Sequence, residues 1–158
     1  ANFNYKFSAA HSIDASIIYM QDAPAFQAAF VSPRTRNSVT PGISAEKVFG
    51  VDASYNLRIG DIKARVSGYY TKFMDQTKVL SYYDDVESTF SNFAMSGIDK
   101  RHFGLEVAAS IPLYQGLSLN GAISWGQFTY DSNPDYVQIQ DNSGEIKNQG
   151  KVYWKTSV

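Results

Sequence analysis

One stretch of this sequence contains several acidic side chains that could bind a metal ion. Carboxylates recur in residues 131–136 and 141–145, with a spacing somewhat like that of an oxygen-rich calcium loop. Counted from Asp131, the sixth position is Tyr136 rather than glycine and the twelfth is Asn142 rather than glutamate, which departs from the calcium-binding pattern. A solvated, turn-rich loop also explains this composition, so calcium binding stays open.

The two histidines and the hydroxyl side chains form no recognisable catalytic pattern. His11 lies at a predicted short turn, and His102 lies at the long-loop end of a predicted strand. These positions are on opposite sides of the predicted sheet's span, so we do not expect the two histidines to share a metal ion. The sequence contains no phosphate-binding loop, nucleophile elbow or zinc motif. We therefore expect a protein that is not an enzyme, with no catalytic residue and no cofactor.

Aromatic residues offer a different kind of chemistry, because their rings can stack on a ligand. Four of them lie among acidic residues in a predicted long loop: Tyr82, Tyr83, Phe90 and Phe93. Such rings can contact a sugar, a siderophore or a peptide, or they can pack on one another or on a partner lipoprotein. We treat the four as candidate ligand-contact residues.

Composition narrows the class of protein that must position these residues. The chain has 158 residues, a formal net charge of −1, no cysteine and 15% aromatic residues. The even charge balance gives no reason to expect nucleic acid as a partner. Tyrosine and phenylalanine favour strands, and no apolar run approaches the roughly 20 residues of a membrane-spanning helix. If the chain crosses a bilayer, we expect it to do so as strands.

Four segments alternate with period two, which predicts strands with one apolar and one polar face. Their apolar bands cover residues 49–57, 62–70, 103–111 and 117–125, and each is nine residues long. A tilted strand crosses the hydrocarbon layer in about 9–11 residues, whereas soluble strands are usually nearer five or six. The residues that we expect to face lipid include Phe49, Val51, Tyr55, Val66, Tyr70, Leu105, Val107, Ile123 and Trp125.

The opposite faces of these strands carry charges near the middle of each band. We expect Asp52, Lys63, Arg65 and Glu106 to point into a barrel interior. Antiparallel pairing would bring Arg65 close to the acids on both neighbouring strands. Mutual neutralisation of charge explains this arrangement, and a role in a transport path is the alternative.

The connections between strands alternate in length. Short turns are predicted near residues 9–12, 58–61 and 112–116, and long loops near 21–44, 75–100 and 131–150. Weaker alternation at Phe3 to Phe7, Ile13 to Tyr19 and Val152 to Trp154 brings the total to about seven strands. Outer-membrane barrels combine short periplasmic turns with long extracellular loops in this order. We therefore predict an all-β antiparallel meander of about seven long strands from a transmembrane β-barrel.

Three stretches carry a resemblance to a known family: residues 10–26, 44–73 and 96–125. Together with the run at 151–155, they resemble the later part of the barrel of TonB-dependent outer-membrane receptors, especially those of Bacteroidetes-like bacteria. The resemblance implies a barrel of about 22 strands in the bacterial outer membrane. It also implies an N-terminal plug domain, contact with TonB, and uptake of a scarce siderophore, metal complex, glycan or peptide.

Seven strands do not close a barrel, and a bilayer does not tolerate open strand edges. We therefore expect this chain to be one part of a barrel whose remaining strands, plug and export signal lie outside these residues. Two other functions remain open. One is a structural or adhesive outer-membrane barrel that transports nothing. The other is a soluble all-β binding module whose apolar faces pack together.

Overall fold

A computed structural model describes residues 1–31 and 37–154, and these residues are mostly β-strand. In chain order the elements are β1 (Asn2–Lys6), β2 (His11–Asp22), α1 (Phe26–Ala29), β3 (Glu46–Ile59), β4 (Ile62–Asp84), β5 (Thr89–Tyr114), β6 (Leu117–Tyr130), β7 (Asp135–Gln140) and β8 (Ile146–Lys151). The predicted all-β class is confirmed. Across the two described ranges, no helix has the length and apolar content needed to cross a membrane.

The strands form one eight-stranded sheet in the order β1-β2-β3-β4-β5-β7-β8, with β6 also paired to β5. Strand β5 serves both neighbours because it is 26 residues long. Residues 91–96 of β5 pair antiparallel with β7, from Ser91 opposite Gln140 to Ser96 opposite Asp135. The predicted meander therefore holds from β1 to β6, and β7 then returns to β5 instead of continuing from β6.

About seven strands were predicted and eight are present, and the predicted position of the last strand was wrong. Residues 152–154 are not in a strand, whereas β7 and β8 both lie within the stretch predicted as a long loop at 131–150. Val137 and Ile139 alternate with Gln138 and Gln140 over only six residues. So short a pattern becomes a strand here because β5 provides a hydrogen-bonding edge for it.

The stretch predicted as a loop at 75–100 is also mainly strand. Strand β4 continues to Asp84 and β5 starts at Thr89, so residues 85–88 alone form the turn. The Asp84 carboxylate accepts the backbone N–H groups of Val86 and Glu87 and thereby shapes this turn. In contrast, residues 23–45 contain no strand among those described, and the short connections at 60–61 and 115–116 fall in the predicted turns.

The residues predicted as one domain group into two compact units. The first unit comprises Ala1–Tyr19, Val48–Lys72 and Arg101–Thr129, and the second comprises Met20–Lys47, Phe73–Lys100 and Tyr130–Val158. Every buried hydrophobic residue in the described ranges belongs to the second unit: Val31, Ala94, Met95, Ile98 and Ile139. Among the described residues of the first unit, only Gly50 and Ser54 are buried.

The first long loop contributes to the core of the second unit. The Thr40 hydroxyl donates to the Ala28 carbonyl at 2.7 Å, and Phe30 forms an isolated bridge with Val39. Val31 and Thr40 are almost fully buried as a result. Residues 28–31 and 39–40 of this loop therefore contact each other, while residues 32–36 lie outside the described ranges.

Candidate functional site

The polar face of the first unit is held by hydrogen bonds between neighbouring strands. Asp14 accepts the side-chain amides of Asn4 and Asn56, the latter at 2.5 Å, and the Ser16 hydroxyl donates to Asp52. All of these residues alternate with the apolar bands, as the period-two pattern requires. We call this surface the polar face and the opposite surface the apolar face.

On β3 the apolar face is more exposed than the polar face, and on β6 both faces are exposed. On β3, Val51 and Tyr55 are 40% and 39% exposed, whereas Ser54 on the polar face is 4% exposed. A soluble sandwich shows the reverse, because its apolar faces pack together. Of the residues predicted to face lipid, Val51, Tyr55, Val66, Leu105, Ile123 and Trp125 are exposed, and Phe49, Tyr70 and Val107 are half-buried.

Aromatic rings gather in pairs on the apolar face. Phe103 and Trp125 meet edge to face with ring centres 5.8 Å apart. At the other end of the unit, His11 Nδ1 lies 2.5 Å from the Tyr55 hydroxyl. The ring of His102 packs edge-on against Phe128 at 4.9 Å, and both residues alternate with the apolar bands of β5 and β6, so this pair belongs to the polar face.

Arg65 forms its side-chain hydrogen bond with a hydroxyl group of β3 and not with a carboxylate. Arg65 donates to the Ser54 hydroxyl at 3.1 Å, and within the described ranges no ion pair joins it to Asp52 or Glu106. The two-residue turn between β3 and β4 explains the difference, because it sets a register in which Ser54 lies closer to Arg65 than Asp52 does.

Two hollows on the polar face bring the predicted interior charges together in part. Lys63 and Arg65 line a groove of about 610 Å³, and Arg65 also lines an adjacent hollow with Glu106. Asp52 lines neither of them. The predicted set of four interior charges is therefore divided between these two hollows and the Ser16–Asp52 hydrogen bond.

The four aromatic residues predicted to contact a ligand do not form one cluster. Tyr83 and Phe90 meet edge to face at 5.3 Å across the β4–β5 hairpin. Phe93 stacks on Tyr136 at 4.8 Å with the rings nearly parallel. Tyr82 lies on the face opposite Tyr83, since adjacent residues of a strand point to opposite sides. Tyr136 was missed because it was assigned to a loop.

The acidic residues at 131–136 and at 141–145 lie at opposite ends of strand β7 and do not form one loop. Asp135 pairs with Lys151 at 3.0 Å, and Asp141 accepts a hydrogen bond from the Asn92 amide at 3.1 Å. Within residues 1–31 and 37–154, no group of three acidic or histidine side chains is arranged to hold a metal ion. The structure therefore gives this run other partners.

A polar network in the second unit had no clear signal in the sequence. The Asp99 carboxylate accepts the backbone N–H of Asp75 at 3.0 Å, and Lys47 pairs with the Asp75 carboxylate at 2.9 Å. Asp75 has a φ of 60°, a conformation that aspartate tolerates better than most residues. Ser132 joins the network by accepting the backbone N–H of Asp99 at 2.8 Å.

Comparison of the chain with protein-family models, curated proteins and solved structures found no match.

Proposed function

We propose that this chain forms part of the wall of a bacterial outer-membrane β-barrel receptor that takes up a scarce nutrient by a TonB-dependent mechanism. The observation that carries the proposal is the arrangement of the first unit, whose apolar side chains are exposed while its polar face is hydrogen-bonded. A lipid bilayer provides an environment in which such a surface is stable.

The lengths of the strands agree with this environment. The four nine-residue apolar bands all lie within single strands, β3 to β6, and about 9–11 residues suffice for a tilted strand to cross the hydrocarbon layer. Exposed apolar surface on this scale is rare in soluble monomers. It argues against the soluble binding module, whose apolar faces would have to be covered.

In this proposal the second unit belongs to the part of the receptor that captures the nutrient. It has its own small core, and it presents aromatic side chains on the β4–β5 hairpin, including Tyr83 and Phe90, which are about half exposed. The remaining barrel strands, the plug and the TonB-contacting segment would be supplied by other parts of the receptor. We expect these parts because the sequence resembles TonB-dependent receptors.

The two tryptophans of the chain allow a direct test. We propose to fold two variants, Trp154→Phe and Trp125→Phe, into vesicles of phosphatidylcholine brominated on its acyl chains. The first variant keeps Trp125, which is 61% exposed on the apolar face, and we expect strong quenching of its fluorescence. The second keeps Trp154, which stacks on Tyr130 at 4.0 Å in the second unit, and we expect little quenching.

An aqueous quencher serves as the reciprocal control, and it should affect Trp154 more than it affects Trp125. Equal quenching of the two tryptophans by brominated lipid, or none of Trp125, would contradict the proposal that the apolar face contacts hydrocarbon.

A further inference from the structure

The larger groove on the polar face has an unusual excess of positive charge. It is lined by four cationic side chains, Lys6, Arg58, Lys63 and Arg65, and by a single carboxylate, that of Asp14. Four of the fourteen lysines and arginines of the chain thus surround one groove, although the whole chain has a formal net charge of −1. Clefts lined by charge of one sign concentrate ions of the opposite sign.

The one carboxylate in the groove already has hydrogen-bond partners. Asp14 accepts the amides of Asn4 and Asn56, so both of its oxygens are engaged. The other carboxylates of the polar face lie elsewhere, Asp52 against Ser16 and Glu106 in the adjacent hollow. The groove therefore carries three more positive than negative charges, four minus one.

Most of the cationic groups in the groove are available to a ligand. Arg65 donates to Ser54 through one nitrogen, which leaves its other N–H groups to donate elsewhere. Within the described ranges, the side chains of Lys6, Arg58 and Lys63 make no hydrogen bond or ion pair. The backbone N–H of Arg58 donates to the Ala10 carbonyl at 2.8 Å, which joins the end of β3 to the β1–β2 connection.

We infer that this groove binds a small, multiply charged oxyanion through these four cationic side chains. Arginine and lysine both donate to phosphate and carboxylate oxygens, arginine often through two parallel bonds. The groove volume of about 610 Å³ accommodates a ligand of this size. The inference extends the proposed function, and it rests on that function where it identifies the anion as the transported nutrient or a part of it.

The test measures binding of pyrophosphate to the full chain folded in a non-ionic detergent, by isothermal titration calorimetry. Citrate is titrated in the same way to test a carboxylate ligand, and putrescine serves as the cationic control. We expect saturable binding of pyrophosphate or citrate that weakens as sodium chloride is added, and no binding of putrescine. A preference of fivefold or more between the two anions would identify the phosphate or the carboxylate as the better ligand.

The Lys6→Gln/Lys63→Gln double variant should weaken anion binding at least tenfold. The matched control is Lys78→Gln/Lys151→Gln, which removes the same charge from residues outside the groove and should change binding less than twofold. Near-UV circular dichroism confirms that each variant is folded. Equal losses in the two double variants, or no saturable anion binding by the folded wild-type chain, would overturn the inference.

Failure of this inference is distinguishable from failure of the proposed function. Anion binding is measured in detergent and depends on the groove, whereas quenching of Trp125 is measured in vesicles and depends on the apolar face. If brominated lipid quenches Trp125 but the chain binds no anion, the groove is not an anion site, and the proposal that the apolar face contacts lipid still holds.

Discussion

The hydroxyl of Tyr69 lies where a side chain at Gly104 would begin. A Cβ atom built on Gly104 would be 2.6 Å from Tyr69 Oη and 2.6 Å from the Trp125 carbonyl oxygen. A Cβ on Gly126 would likewise be 2.9 Å from Tyr69 Oη. Glycines on β5 and β6 thus make room for a tyrosine of β4, and the polar face depends on this close approach.

We predict that Gly104→Ala lowers the free energy of unfolding by about 1–3 kcal/mol, because the added methyl group meets a backbone carbonyl that cannot move aside easily. Urea unfolding of the chain in detergent measures the change. Gly121→Ala is the matched control, since a Cβ there meets no atom within 4 Å. Equal destabilisation by the two substitutions would show that crowding at Tyr69 is not the cause.

We predict that Ile123→Arg disfavours membrane insertion by about 2–4 kcal/mol, the cost of a cation that faces lipid near the bilayer centre. Ser124→Arg places the same charge on the next residue of β6, which points to the opposite face of the strand, and should be tolerated. Partitioning of each variant between vesicles and urea solution measures the difference. Similar insertion of the two variants would mean that the faces are wrongly assigned.

We predict an energetic coupling of about 0.5–1.5 kcal/mol between Tyr83 and Phe90, as is usual for an edge-to-face aromatic pair. A double-mutant cycle with Tyr83→Ala and Phe90→Ala measures it through unfolding. The control cycle replaces Tyr82 and Phe90, which lie on opposite faces of the hairpin and should show no coupling. No coupling between Tyr83 and Phe90 would leave both rings more available for a ligand.

We predict that Asp99→Ala lowers the free energy of unfolding by about 1–2 kcal/mol, because the backbone N–H of Asp75 loses its acceptor. The matched control is Asp85→Ala in the exposed turn of the same hairpin, which should change stability by less than about 0.5 kcal/mol. Thermal unfolding followed by circular dichroism compares the two. A larger loss from Asp85→Ala would contradict the role of the Asp99 network.

The strands of the first unit could be predicted because their two faces differ in polarity. The four bands alternate over nine residues, so pattern alone locates β3 to β6. In the second unit, both Ser91 and Ala94 are buried, as are Asn92 and Met95, and alternation is lost. Strand β7 pairs with a segment about 40 residues earlier in the chain, and a local pattern does not reveal such a partner.

The candidate sites were predictable at the level of faces but not of contacts. The period-two pattern correctly puts Arg65 and Ser54 on one side of the sheet, but the register of the turn decides that they meet. The ring partner of Phe93 required the position of β7, since Tyr136 lies on that strand. The cationic groove requires the pairing of β1 with β2, which brings Lys6 to the same surface as Lys63.

The pairing of β5 with both β6 and β7 has a consequence for how this protein can diversify. Gly97, with a φ of 73°, directly follows the residues that pair with β7, and a residue in this conformation is a natural place for a strand to absorb an insertion. One extra residue there would exchange the two faces of the neighbouring stretch and leave the β7 pairing in place. The same insertion would turn Glu106 to the side that Leu105 and Val107 now occupy, so descendants of this gene have little freedom to change the length of β5 at this glycine.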